Sequence, residues 1–379
     1  MLARTAAMHE RLAMYNGNVL KIGIFGANCS SGRSATKVPE RWSASWPECL
    51  QLARMADAAG IDFMLPIGRW KGYGGDTDFH GTTLETVTWA AGLLAATQHI
   101  TVFGTVHAPL FNPIIAAKEF VTADHIGEGR FGLNLVAGWN EGEFEMFGVK
   151  QRDHEARYVF AQEWIDTVKR AWCEPGEFDV DGEFLKLTRV RAEPKPYGHT
   201  RPIIMNAGSS KTGQAFALRN CDAFFTATAA SRTSLQGTAD KVTAVKSEAR
   251  GLGRDIEVYT VGQVVCRPTH QAAADYYRHA VIENADWGAV DGMLALKDIT
   301  PQTVGAEEYA AKRRYFAANA IGGYPFVGTP DAVAEELANI STAGVRGIAV
   351  SFVNYLDELP YFCAEVLPRL QRRGLRETA

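Results

Sequence analysis

Short apolar runs alternate along the chain with longer stretches in which apolar residues recur every three to four positions. A strand covered on both faces reads as an unbroken apolar run, and each covering helix shows one apolar stripe, so the alternation predicts βαβ units around a parallel sheet. Eight runs fit the strand pattern: Val19–Phe25, Asp62–Ile67, Ile100–Val106, Phe131–Val136, Pro202–Met205, Ala223–Thr226, Val258–Val265 and Gly347–Phe352. The fold class they predict is α/β, a single TIM (β/α)8 barrel with insertions that takes in residues 1–379 as one domain.

Helix punctuation supports this. Ser45-Trp46-Pro47-Glu48 reads as a capping box ahead of Leu52, Met55, Ala56 and Ala59, with Gly60 as the stop. Thr329-Pro330-Asp331 opens a helix whose Val333, Leu337 and Ile340 share a face and which Gly344 closes. Phe160, Trp164, Ile165, Val168 and Trp172 form the stripe of a third helix.

Two stretches break the rhythm. Near 177–187, Glu177–Val180 and Glu183–Leu187 flank Asp181-Gly182, which predicts a β-ribbon with a two-residue turn. Near 286–325 lies an insertion, helical toward its end (EEYAAKRRYFAANA) and bounded by Gly322-Gly323-Tyr324-Pro325. Its length, about 40 residues, exceeds an ordinary βα connection and predicts a lid or a subunit interface.

At 379 residues with 46% hydrophobic content, the chain can bury a core of barrel size. A net charge of −4, with Lys and Arg scattered singly, leaves no basic stripe for a nucleic acid. The six cysteines have neither CxxC nor regular spacing, which points to a reducing, cytoplasmic setting. The first residues lack a continuous apolar core, and no run of about 18 apolar residues occurs, so neither export nor membrane spanning is expected.

In a TIM barrel the chemistry is built from residues just past the C-terminal end of each strand. After the second strand, Gly68, Arg69, Trp70 and Tyr73 lie in a glycine-rich stretch that lets backbone approach a flat ligand, although a surface turn would read the same way. His107, just past the third strand, is a donor or general acid toward substrate, or a packed loop histidine. Asn134 is polar inside an apolar strand and must find partners in the barrel or in a ligand. Trp139 comes next as a pocket wall or a packing residue. Arg157 and Tyr158 open the long helix, where they can hold an anion or form a solvated helix start. Gly208, Ser209 and Ser210 open another helix, either as a phosphate seat on free backbone N–H groups or as an ordinary serine cap. HExxH and GxSxG are absent, and Gly127–Gly132 matches GxGxxG but leads into a strand, so metal hydrolysis, serine hydrolysis and dinucleotide binding are weak readings.

KIGIFG, WKGYGG, LLAATQHITVFGTVHAPLFNP, GEGRFGLNLVAGWNEGEFEMFG, DHEARY, IMNAGSSKTGQAFA and VGTPDAVAEEL together resemble the bacterial-luciferase-like flavin monooxygenases, in the branch of pyrimidine and dimethylsulfone monooxygenases. The resemblance implies a two-component enzyme that uses reduced FMN and O2, with reduced flavin supplied by a separate NAD(P)H:FMN reductase. Gly68 and Arg69 would line the isoalloxazine, and Asn134 and Glu143 would make polar flavin contacts. Arg157, Tyr158 and Ser210 would take the ribityl and phosphate end, and Thr105 with Asn134 would hold oxygen. The chain departs from the pyrimidine pattern at Ile67-Gly68-Arg69-Trp70 and at His107, so the substrate stays open among small molecules such as pyrimidine-like heterocycles, amides and sulfones. A homo-oligomer, dimer or tetramer, is expected. Two other readings use the same fold: a deazaflavin-dependent hydride-transfer oxidoreductase and a non-catalytic flavin-binding protein.

Overall fold

The computed structural model describes residues 12–226, 235–319 and 322–377. Its strands are β1 (Lys21–Phe25), β2 (Phe63–Leu65), β3 (Thr101–His107), β4 (Phe131–Val136), β5 (Phe178–Asp181), β6 (Lys186–Val190), β7 (Ile203–Asn206), β8 (Ala223–Phe225), β9 (Glu257–Cys266), β10 (Tyr324–Gly328) and β11 (Gly347–Ser351). All except β5 and β6 join one parallel sheet that closes on itself, a (β/α)8 barrel with β10 added beside the second half of β9. Each of the eight expected barrel strands is present, with ends shifted by at most two residues.

The principal helices are α1 (Trp46–Ala58), α2 (Thr86–Leu94), α3 (Pro113–Ile126), α4 (Glu141–Met146), α5 (His154–Cys173), α6 (Lys211–Asn220), α7 (Leu235–Gly251), α8 (His270–Tyr277), α9 (Trp287–Ala295), α10 (Pro301–Val304), α11 (Ala306–Ala318), α12 (Pro330–Thr342) and α13 (Tyr355–Arg372).

The contacts divide the chain into two compact units. One takes in Glu85–Thr226 and Val245–Glu257, with strand order β3-β4-β7-β8. Arg130 holds it together at the end of α2, where its guanidinium donates to the carbonyls of Leu94, Thr97 and Ile100. The Leu94 carbonyl is one that the end of α2 leaves without a helical partner, and those of Thr97 and Ile100 belong to the loop that follows, so a buried arginine stands in for water there. The second unit takes in Gly17–Leu84 and Val258–Ala379, with order β2-β1-β11-β9-β10. Asp62 fastens it by accepting from Ile22 N (2.7 Å), Asn18 Nδ2 (2.8 Å) and Arg376 Nη1 (2.5 Å), which ties the C-terminal tail to the start of β1.

Four local expectations change. Ser45 does precede α1, but its hydroxyl donates to Glu48 Oε2 (2.9 Å) and does not cap a backbone N–H, so the capping box is not formed. The ribbon turn spans Gly182–Leu185, with Asp181 paired to Lys186, because the Glu163 carboxylate of α5 accepts from Phe184 N and Leu185 N and holds a wider loop. β10 falls where the sequence placed the boundary of an insertion; it is short and holds Pro325, which a sheet edge tolerates. The insertion is three helices, α9 to α11, with their own core of Ala285, Ala289, Val290, Met293, Leu294 and Ala317 against Phe79.

Candidate active site

In the first unit the candidate residues lie at or just past the ends of β3, β4 and β7. Parallel register places Thr105 opposite Asn134, and Asn134 opposite Met205. Asn134 Nδ2 donates to Thr105 Oγ1 (3.1 Å), while Asn134 Oδ1 is buried with no partner among the described residues. Thr105 is fixed in turn by Thr86, whose hydroxyl donates to its carbonyl (2.7 Å) and accepts from its N–H (3.2 Å). A buried amide oxygen without a partner costs about 1–3 kcal/mol, so this site holds an acceptor suited to a ligand donor.

His107, at the end of β3, lies 3.7 Å through Nδ1 from Glu143 Oε2 on α4, and both are buried. The sequence proposed each separately; the fold makes them a pair. Gly138 turns the chain between β4 and α4 at φ +88°, where an added Cβ would stand 2.4 Å from Phe144. Its carbonyl accepts from Arg157 Nη1 (2.6 Å), and the buried Nε of Arg157 has no partner among the described residues. Trp139 beside it is half-buried.

Tyr158 packs against Phe216 of α6, at 5.7 Å between ring centres. Its hydroxyl would lie 2.4 Å from a Cβ added at Gly213. Gly208 is similarly tight, since a Cβ there would come within 2.7 Å of Gly213 backbone. Gly208 N donates to Asn206 Oδ1 (2.7 Å), and Asn206 Nδ2 donates to Leu135 O (2.6 Å), which fixes the approach to α6. Ser210 caps α6 by accepting from Gly213 N (3.0 Å), and Ser209 is exposed. The serine cap and a helix N-terminus able to attract an anion are therefore features of one turn.

Gly68 and Arg69 belong to the second unit. Asn28, after β1, clamps the start of their loop: its Nδ2 donates to the carbonyls of Ile67 (2.9 Å) and Leu84 (3.1 Å), and its Oδ1 accepts from Ile67 N (2.8 Å). Arg69 is buried, donates through Nη2 to the Tyr73 hydroxyl (2.7 Å) and lies 4.7 Å over that ring. Asp286 caps α9 and accepts from Ala289 N (3.1 Å), Asp76 N (3.1 Å), Thr77 N (2.8 Å) and Thr77 Oγ1 (2.7 Å). Desolvation opposes its charge, but these hydrogen bonds outweigh it and hold the carboxyl below its ordinary pKa.

Sequence reasoning missed Asn28, Arg33, His80 and Asp286. Asn28 and Arg33 come after the first strand, so the strand-end rule itself would have found them. His80 is joined to Gly32, far away in sequence, by a 2.6 Å contact that no local pattern announces. The described residues contain no cluster of His, Cys, Asp or Glu suited to a metal, and none of their helices is long and apolar enough to cross a membrane.

Buried polar groups, some unpartnered, at the C-terminal ends of (β/α)8 strands define a barrel enzyme, since that is where such barrels carry out chemistry. Residues 20–347 match the luciferase-like monooxygenase family, and the chain belongs to it. It is similar to the FMNH(2)-dependent dimethylsulfone monooxygenase of Pseudomonas putida, 28% identical over 360 residues that cover 92% of this chain and 94% of the relative. It is also similar to pyrimidine monooxygenase RutA of Methylorubrum populi, 28% identical over 364 residues that cover 94% and 95%. Among solved structures, riboflavin lyase (RcaE), crystallised with modified FMN and riboflavin, shares the fold with a TM-score of 0.84 at 21% identity, over 95% of this chain and 93% of that one.

Proposed function

We propose that the chain is the oxygenase of a two-component system that uses reduced FMN and O2 to oxidise a small organic molecule, with a separate NAD(P)H:FMN reductase supplying the flavin. The observation that carries this reading is the Asn134–Thr105 pair, with a buried amide oxygen awaiting a donor, in a chain of the luciferase-like monooxygenase family.

The residues present fit a flavin mononucleotide. Asn134 Oδ1 matches a ring N–H, and Gly68 and Arg69 offer close backbone approach and positive charge to a flat ring. The Gly208–Ser210 turn at the start of α6, with Arg157 and Tyr158, offers N–H groups, a guanidinium and a hydroxyl to ribityl and phosphate oxygens. Reduced flavin, when bound, supplies the electrons by which one oxygen atom enters the product and the other leaves as water.

The protein's share is to orient and to exclude water. Thr105 and Asn134 position the reacting face, and Thr86 keeps Thr105 in place. His107 and Glu143 lie buried 3.7 Å apart, and His107 is the donor this reading offers to the substrate. Trp139 closes one side.

The test supplies NADH, FMN and a generic flavin reductase in 18O2 with a panel of heterocycles, amides, sulfones and organic acids. Mass spectrometry should find one 18O in a product. Oxygen uptake that yields only hydrogen peroxide across the panel, or binding of a deazaflavin in preference to FMN, would overturn the reading.

A further inference from the structure

The turn after β1, in the second unit, gathers buried polar atoms that the fold itself does not pair. Ser31 and Gly32 take left-handed backbone one after the other, at φ +62° and +52°, and the turn is closed by Gly32 N donating to Cys29 O (3.0 Å) and Ser34 N donating to Ser31 O (2.9 Å). Glycine adopts that conformation freely and serine does not, so the fold holds Ser31 there at a cost. Two distant segments dock on the same turn. Gly32 O accepts from His80 Nε2 (2.6 Å), in the loop after β2, and Ser34 Oγ accepts from Gln263 Nε2 of β9. Parallel register sets Gln263 opposite Ser351, the last residue of β11, so it lies at the C-terminal end of the barrel strands, where such folds carry their chemistry.

Each segment then leaves one polar atom over. The Gly32 carbonyl can only accept, so His80 Nε2 carries the proton and Nδ1 is a bare acceptor. Gln263 spends its amide N–H on Ser34 and leaves Oε1. The third atom is the Ser31 hydroxyl. All three are buried with no partner among the described residues, in residues 2%, 1% and 1% exposed. Buried polar atoms are paired in folded proteins, so three unpaired ones around a single turn mark a place kept for a ligand.

Their chemistry selects it. Two acceptors and one hydroxyl call for two donors and one acceptor on a small group. A carboxylate or a sulfone has no proton to give, an alcohol has one, and an ammonium would meet the positive charges of Arg69 and Arg33, both of which act on His80. Desolvation, ahead of those charges, lowers the imidazole to about 3, so Nδ1 keeps its lone pair at neutral pH. A primary carboxamide carries two N–H bonds and a carbonyl on adjacent atoms, with no net charge.

We propose that this turn binds a primary carboxamide group of the substrate: its two N–H bonds donate to His80 Nδ1 and Gln263 Oε1, and its carbonyl accepts from the Ser31 hydroxyl. That the ligand is a substrate rests on the monooxygenase reading; the amide site itself does not. The preference separates this chain from the relative named for dimethylsulfone, which has no proton to offer.

Calorimetric titration of the full chain with benzamide, acetophenone and methyl phenyl sulfone, with and without bound FMN, tests it. Acetophenone keeps the shape and the carbonyl but puts a methyl group where the N–H bonds are. Benzamide should bind in both states, at least about ten-fold more tightly than either rival, since each rival leaves two buried acceptors unpaired. Ser31→Gly removes the hydroxyl while suiting the left-handed backbone, so it should fold as well as the wild type and weaken benzamide several-fold. Gln263→Leu should cut the preference for benzamide over acetophenone. Equal binding of benzamide and acetophenone by the wild type, which needs no variant to fold, overturns the proposal, as does binding of none of the three. Displacement of benzamide by FMN overturns it too, because the three atoms would then belong to the flavin. Benzamide binding by a chain that binds no FMN upholds the amide site and removes the monooxygenase reading instead.

Discussion

Acid should unfold this protein partly through a single histidine. In the folded chain the His80 pKa is lowered from 6.5 to about 3, first by desolvation and then by Arg69. Between those values the unfolded chain binds a proton that the folded chain refuses, so stability is complete above about pH 6.5 and is lost as pH falls. One pKa unit corresponds to about 1.4 kcal/mol, so lowering the pH to 5 removes roughly 2 kcal/mol, and to 3 nearly 5 kcal/mol. Set against the ordinary stability of a domain, about 5–15 kcal/mol, this is a large part. Urea unfolding of the wild type and His80→Gln at pH 7 and pH 5 measures it. Glutamine keeps a donor for the Gly32 carbonyl and cannot titrate. Because His80 sits at φ +62°, glutamine there costs some stability at every pH, so the readout is the change between the two pH values. The wild type should lose about 2 kcal/mol more than the variant. Equal losses would mean that His80 takes up its proton without disturbing the fold, and the buried, neutral imidazole would be wrong.

Asn134→Ala and Thr105→Val should leave the fold and FMN affinity largely intact while product per reduced flavin falls and hydrogen peroxide rises; unchanged coupling by mass spectrometry and peroxide assay removes both from the oxygen-reacting face. Gly208→Ala drives a Cβ to 2.7 Å from Gly213 backbone and should weaken FMN at least about ten-fold with little effect on riboflavin; equal losses by fluorescence titration would remove the phosphate from that turn. Asp286→Ala strips four donors of their acceptor and should cost about 2–4 kcal/mol in urea unfolding. In the same variant, more peroxide from an unchanged oligomer would support a lid at 286–325, and dissociation on gel filtration with normal coupling an interface.

The barrel strands were legible because each is a short apolar run, and β10 was not because Gly322, Gly323 and Pro325 at its start read as the boundary of the insertion. Asn134 stood out as a polar residue in an apolar strand, but its bond to Thr105 depends on the register of β3 with β4, which no single segment contains. The His107–Glu143 pair was half legible for the same reason: each residue sits at an inspected strand end, and only the turn at Gly138 brings α4 back toward β3. Arg33 and His80 were hidden because their environment comes from residues distant along the chain, Gly32 and Tyr73 among them.

The loop after β2 shows why its glycines are poorly read as slack. Asn28 pins its entry, Tyr73 N bonds to Phe79 O (2.9 Å) across it, and Asp286 holds Asp76 and Thr77 from the far side. A Cβ at Gly75 would fall 2.3 Å from Asp286 Oδ1, and one at Gly292 would fall 2.3 Å from the Tyr73 carbonyl. These glycines are therefore points of close contact between the loop and α9. The run in which the chain departs from the pyrimidine pattern, Ile67 to Trp70, enters this braced segment, and the position of Arg69 depends on Tyr73, which packs on the core of the insertion. The position of Arg69 therefore depends on two stretches more than two hundred residues apart, so exchanging the loop with that of a relative, without α9 and its Asp286, would move the arginine with it.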